Sequence, residues 1–222
     1  MYNRIINLIG NDNFAKLANC KILLVGIGGV GSFAFECLIR SGFNDITVYD
    51  GDVIEDSNMN RQLVANLSTI GMYKGDVAKK RAENINEKIK IQIFNEYLNE
   101  EKINKLNIDF NYIIDACDDV LVKVSLYKFA EKNNIKIISA MGVGNRVDAS
   151  KIKISRLDKT SNDPLAKKLR KLVKDNQIKM KIPVVCSDEI PIKKGEVNSM
   201  ITSPSIAGIL MVDYIINDLI LY

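Results

Sequence analysis

Residues 26–32 read Gly-Ile-Gly-Gly-Val-Gly-Ser, and no other run constrains what this chain can fold into as strongly. Gly26, Gly28 and Gly31 keep the G-x-G-x-x-G spacing, directly after the apolar stretch Ile22 to Val25 and just before a helical pattern ending near Arg40. Strand, glycine turn and helix in that order make a phosphate loop. Gly26 permits the tight turn and Gly28 lets the backbone approach phosphate oxygens. Gly31 allows close packing of helix on strand, over a helix N-terminus whose free N–H groups attract anions. Gly29 belongs to the same cofactor-binding loop. Asp50 stands where a ribose-binding carboxylate is expected. The glycines alone fit a nicotinamide cofactor and a mononucleotide equally well; the Arg61-Gln62 pair favours the mononucleotide.

Beyond the loop, strand-like and helix-like runs alternate. One or two short helices are predicted over 3–19, a strand over 21–26, a helix over about 29–41 and a strand over 45–49. A loop with helical turns carries Ser57 to Gly71. The helical pattern from Lys74 to Lys88 precedes a strand at 90–94, a short helix near 100–106 and a strand at 111–115. A helix over about 119–133 and a strand at 136–140 complete the alternating part. Such alternation predicts a Rossmann-like, doubly wound α/β fold: a mostly parallel sheet with flanking helices and ligands at the carboxyl ends of its strands. Gly26, Asp50 and Asp115 to Asp118 all fall at such ends. After Gly142 and Gly144 comes a C-terminal extension with a strand near 151–157, a basic helix, a short strand near 182–186 and a terminal helix. Asp163 and Pro164 read as N-cap and first residue of the basic helix, with Leu165, Leu169, Leu172 and Val173 as its apolar face.

At 222 residues and 47% apolar content, the chain suffices for one large domain over 1–222 with a well-buried core. Histidine is absent, which removes the Ser-His-Asp triad, the Cys-His pair and the usual histidine acid or base of many dehydrogenases. Adenylation of a carboxylate suits such a chain, because the attacking group is already ionised at neutral pH and needs no general base. Cys20, Cys37, Cys117 and Cys186 are scattered, with no C-x-x-C pair for a structural zinc and no disulfide framework, so reduced cytoplasmic thiols are expected. The N-terminus lacks a signal pattern, and the apolar tail from Ser205 to Tyr222 is broken by Asp213, Asn217 and Asp218, which predicts a packed helix and no membrane span. Residues 164–181 hold seven of the 31 cationic side chains against Asp175 alone, leaving a slightly acidic remainder. A localised basic cluster on such a body is the pattern of a polyanion contact, although a solvated helix face has the same composition.

The run Ser57-Asn58-Met59-Asn60-Arg61-Gln62, with Asp50-Gly51-Asp52 before it, Lys74 after it and Asp115-Ala116-Cys117-Asp118 beyond, resembles the ubiquitin-activating-type adenylyltransferases, the MoeB and ThiF relatives. Within that family, Thr160 to Ala166 and Val184 to Glu189 resemble the tRNA threonylcarbamoyladenosine dehydratases. The resemblance implies a single ATP-binding adenylyltransferase domain that uses ATP and Mg²⁺. Asp50 and Asp52 would then bind nucleotide, Asn58 and Gln62 orient phosphates, and Arg61 stabilise charge as pyrophosphate departs. Lys74 opens a helix, where a phosphate would offset its poor placement at the positive end of the dipole. Asp118 would hold Mg²⁺, with Asp119 as the competing acid; one of the two would cap the following helix. The resemblance further implies a homodimer in which Arg61 acts across the interface, and a tRNA substrate held by segment 164–181. The threonyl carboxylate of threonylcarbamoyladenosine would be adenylated and then cyclised. The alternative is activation of the C-terminus of a ubiquitin-like sulfur carrier, with a sulfur-donor partner; a nicotinamide-dependent dehydrogenase stands further off. Cys186 reads either as a nucleophile or, with no histidine to activate it, as strand packing.

Overall fold

From Lys21 onward, short apolar strands alternate with helices along the chain. The computed structural model describes all residues except Met180, inside the basic segment, Lys193, Lys194, and Tyr222 at the end of the apolar tail; these four lie outside the described residues. In chain order the first half comprises α1 (Asn3–Ala18), β1 (Lys21–Val25), α2 (Gly31–Ser41), β2 (Asp45–Tyr49), α3 (Lys74–Ile85) and β3 (Lys90–Phe94). Then follow α4 (Glu100–Ile103), β4 (Tyr112–Asp115), α5 (Val120–Asn133) and β5 (Lys136–Ala140). The C-terminal extension contributes β6 (Ile152–Arg156), α6 (Pro164–Asp175), β7 (Pro183–Ser187) and α7 (Thr202–Leu221). The first helix is two pieces joined at Gly10, whose φ of +81° no helix continues through.

The seven strands make one sheet in the order β3-β2-β1-β4-β5-β7-β6, parallel throughout except for the edge strand β6, which runs antiparallel to β7. β1 lies centrally, covered on both sides, so Ile22, Leu23 and Leu24 are fully buried and read as an unbroken apolar run. Truncating any of them to Ala should cost about 2–5 kcal/mol. From β1 the chain winds one way through β2 and β3, then returns to the other flank of β1 for β4 and β5. That reversal opens a crevice beyond the carboxyl ends of β1 and β4. The register keeps those ends level, with Val25 opposite both Tyr49 and Asp115, and Tyr49 opposite Phe94. Gly26, Asp50 and Ala116, the next residue on each of the inner three strands, therefore form one row.

Helices cover both faces. α7 packs against α1 and α2, and α2 against α3, on one side; α5 packs against α4 and α6 on the other. α7 is long and apolar enough to cross a membrane by length and composition, yet its Pro204, Ala207, Gly208, Met211, Val212 and Ile215 are buried against α2 and the sheet. α6 starts as expected: Asp163 accepts from the Ala166 N–H at 3.0 Å, Pro164 follows, and Ala166, Leu169 and Val173 turn inward. Asp163 has a second partner, since its other oxygen accepts from the Gly142 N–H at 2.8 Å.

Candidate active site

The row of strand ends opens into a cleft of about 550 Å³, lined by the glycine loop, Asp50, Asp52, Asn58, Arg61, Gln62, Lys74 and Asp118. The structure thus brings Gly26, Gly28, Gly29, Asp50, Asp52, Asn58, Arg61, Gln62, Lys74 and Asp118 around one cleft, with Gly31 behind the glycine turn. The floor is the turn from β1 into α2. Gly26 adopts φ +89°, and a Cβ there would press on the Ala116 carbonyl; a Cβ on Gly31 would overlap the Gly26 carbonyl itself. No side chain caps the α2 N-terminus; the Ser32 N–H bonds back to the Gly28 carbonyl at 3.0 Å, and the positive end of the helix lies directly behind the cleft lining at Gly28 to Val30.

Asp50 is 8% exposed and holds this turn: its carboxylate accepts from the Ile27 N–H at 2.5 Å and the Asp52 N–H at 2.8 Å. Burial pushes its carboxyl above the usual carboxylate range, against the pull of those two N–H groups and Lys74. Each oxygen keeps a free lone pair for a ribose hydroxyl. Lys74, at the start of α3 and only 4% exposed, places its ammonium 2.5 Å from Asp52. The group that offsets its position at the positive helix end is therefore this carboxylate, where the sequence points to a phosphate. Burial raises the Asp52 carboxyl, but Lys74 and the Tyr97 hydroxyl outweigh it and hold it below its ordinary value. Tyr97, whose ring lies over Gly51, has its phenol pushed up to about 12 by the hydrogen bond to Asp52. Sequence reasoning missed Tyr97; its place three residues beyond the end of β3, beside the Asp50 row, is the signal that finds it.

Asn58 is committed to its own loop, accepting from the Glu55 N–H at 3.2 Å in a capping box. Gln62 is different: its Oε1 is buried in the cleft with no hydrogen-bond partner, which fits an acceptor held ready for a ligand donor. Arg61 lays its aliphatic stem over Gly29, where a Cβ would sit 3.5 Å from its Cδ, and donates to the Ser57 carbonyl at 2.7 Å and Asn60 Oδ1 at 2.8 Å. The guanidinium is thereby anchored on the rim of its own chain's cleft. Within the chain, the loop that carries Arg61 folds back onto the glycine turn.

Asp119 caps α5, accepting from the Leu121 N–H at 2.7 Å and the Val122 N–H at 3.2 Å, while Asp118 is exposed on the cleft wall. The capping duty thus falls to Asp119. Among the described residues no group of three or more metal-ligating side chains assembles. Mg²⁺ nonetheless fits, because it binds through one or two carboxylates plus substrate phosphates and retains several waters. Cys117 lies behind this turn, its thiol 3.1 Å from Asp115 Oδ1, and burial with the nearby Asp115 charge pushes it well above the ordinary range. Cys186 is 1% exposed within the core cluster around α6, and burial raises its thiol as well; the packing reading describes it.

On α6, Lys167, Lys168, Lys171 and Lys174 share one exposed face at helical spacing. Arg170 does not join them, because its guanidinium turns back to the Thr160 carbonyl at 3.0 Å. Lys179 lies 3.7 Å from Glu131. A second residue missed from the sequence is Arg146, 2% exposed, which donates to the carbonyls of Gly142, Asn162 and Glu189 and ties three loops beside the cleft.

This geometry has close counterparts among known proteins. A profile of the ThiF family matches residues 2–219. The chain belongs to the ThiF family. Among relatives in that family, the tRNA threonylcarbamoyladenosine dehydratase of Bacillus subtilis is 34% identical over 232 residues, covering 96% of this chain and 91% of that protein. The crystal structure of the E. coli tRNA N6-threonylcarbamoyladenosine dehydratase in complex with ATP superposes with a TM-score of 0.94 at 28% identity, covering 99% of this chain and 93% of that one. A shorter match, 33% over 129 residues, joins 58% of this chain to 29% of the adenylyltransferase and sulfurtransferase UBA4 of Saccharomyces cerevisiae. The ThiF fold accounts for the strand order and for the position of the cleft.

Proposed function

We propose that this chain is an ATP-dependent tRNA threonylcarbamoyladenosine dehydratase, which adenylates the threonyl carboxylate of the modified adenosine and lets the product cyclise. The single observation that carries the reading is the one-chain cleft uniting the glycine turn, Asp50, Arg61, Lys74 and Asp118, in a chain alike over nearly its whole length to enzymes of that name. Asp50 binds the ribose, and the glycine turn with the α2 N-terminus receives phosphate oxygens. Asp118 is the residue that would hold Mg²⁺, which supplies neutralisation of phosphate charge when bound.

The threonyl carboxylate attacks the α-phosphorus, the bond to the bridging oxygen breaks, and pyrophosphate leaves. Arg61 and Lys74 stabilise the charge that accumulates on the departing group. Lys74 exchanges Asp52 for phosphate in that step, and Tyr97 keeps Asp52 in hydrogen bonding when it does. A nitrogen of the substrate's own carbamoyl group then attacks the acyl carbon, AMP leaves with the bonding pair, and the nitrogen gives up its proton. No protein nucleophile is required, in keeping with the buried Cys186. Lys167, Lys168, Lys171 and Lys174 contact tRNA phosphates, the assembly is a homodimer, and the enzyme works in the cytoplasm.

The UBA4 match supports a second reading, activation of the C-terminus of a ubiquitin-like sulfur carrier. Exchange of labelled pyrophosphate into ATP separates the two. Exchange that depends on threonylcarbamoyladenosine-bearing tRNA supports the dehydratase; exchange that depends on a carrier protein and ignores tRNA replaces it.

A further inference from the structure

Beneath the cleft lies an ion pair that the reaction does not use directly. Lys123 and Asp115 are both fully buried, with the ammonium 3.0 Å from each carboxylate oxygen. A lone pair of charges so placed pays heavily in desolvation, and replacing it with neutral groups is often no loss of stability. Its geometry is that of a clamp. The Lys123 ammonium also donates to Ser139 Oγ at 3.2 Å and to the Ala140 carbonyl at 2.9 Å, and Ser139 donates to Asp115 in turn. Asp115 ends β4 and Ala140 ends β5. Three residues past Asp115 is Asp118; three past Ala140 is Val143; both line the cleft.

The turn is pinned at its far end as well, where Asp119 caps α5 and its carbonyl receives the Lys123 N–H at 3.0 Å. Residues 116–118 thus form a short bridge fixed on both sides by α5 and backed against Gly26. We propose that Lys123, through Asp115, Ser139 and the Ala140 carbonyl, is a positioning residue that sets where Asp118 stands relative to the glycine turn. The inference rests on the adenylation reading above and assigns Lys123 no contact with substrate.

The test is the double variant Lys123→Met with Asp115→Asn, which removes both charges together and leaves no lone buried ion. The primary readout is ATP affinity by titration calorimetry in EDTA and in Mg²⁺, supported by circular dichroism and single-turnover AMP formation. Affinity in EDTA should stay unchanged, because the glycine turn and Asp50 are untouched. The tightening that Mg²⁺ confers should fall about 10- to 100-fold, the usual consequence of losing a group that orients a ligand. AMP formation should slow correspondingly at saturating ATP. A folded double variant with wild-type Mg²⁺ tightening overturns the inference. Should that variant fail to fold, Ser139→Ala decides, since it keeps the ion pair and removes one donor to Asp115; a partial loss of the Mg²⁺ effect is expected, and a wild-type effect overturns the proposal. A wild-type protein that does not bind ATP overturns the adenylation reading together with this one.

Discussion

Gly28 and Gly31 lie three residues apart in one loop, yet adding a methyl group to each should produce opposite outcomes. A Cβ on Gly28 meets nothing within 4 Å and projects into the cleft; a Cβ on Gly31 falls onto the Gly26 carbonyl and 3.3 Å from the Ala116 methyl. Gly28→Ala therefore leaves the protein as stable as before or gains about 0.4–1 kcal/mol through the unfolded chain. Its cost appears on binding, where the methyl group holds phosphate off the backbone. Losing one hydrogen bond to a charged group costs about 1.5–3 kcal/mol, roughly a 10- to 160-fold rise in the Kd for ATP. Gly31→Ala instead overpacks the turn by about 1–3 kcal/mol. At about 2–4 °C per kcal/mol for a chain of this size, its melting temperature should drop by roughly 2–12 °C without ATP present. Thermal melts of both variants, with ATP titrations by calorimetry, give the two numbers independently. If Gly28→Ala binds ATP as tightly as wild type, the loop is not a phosphate cradle, and the placement of nucleotide on it is wrong.

Arg61→Ala and Asp118→Ala should each abolish AMP formation, and after verified subunit exchange their mixture should stay inactive if the two residues, which line one chain's cleft, act together there. Recovery of about a quarter of wild-type activity, the statistical yield of one intact site in half of the dimers, would establish a cross-subunit Arg61. Reversing Lys167, Lys168 and Lys171 to Glu should weaken tRNA binding and flatten its dependence on salt by about one unit of log slope per lost phosphate contact; filter binding across a salt series that shows no change returns α6 to a plain solvated face. Cys186→Ser should retain most turnover in single-turnover assays, and loss of product with adenylate still accumulating would instead establish covalent catalysis.

Much of this molecule is legible in its sequence because the strands around the cleft are buried on both faces. Ile22 to Val25 are apolar throughout and Ile46 and Val48 flank a buried Thr47, and such runs bounded by Gly26 and Asp50 leave little freedom in assignment. Side-chain direction is far less legible. Lys123 reads as an ordinary surface lysine in a helix, and only the tertiary fold reveals that Asp115, eight residues earlier, turns beneath it. Arg170 sits within a lysine stripe but reaches a carbonyl of the preceding loop, which helical spacing alone cannot foretell. The choice between Asp118 and Asp119 depends on which one reaches the N–H groups of α5, a matter of one residue in the turn. Arg61 was legible as a cleft residue, whereas the lie of its stem over Gly29 depended on how its loop closes.

The two oxygens of Asp163 divide their duties, one capping α6 and the other holding Gly142 at the edge of the cleft. The helix that carries the lysine face is consequently tied to the cleft at its first turn, while its later turns pack through Leu169 and Val173 into the core cluster that also holds Cys186. Its first turn cannot unwind or shift without dragging the cleft wall. Exchanging the exposed Lys171 and Lys174, which lie away from Asp163 and Gly142, should therefore alter any polyanion contact of this face at little cost to turnover, and redesign of the face should begin there and leave Asn162 to Pro164 alone.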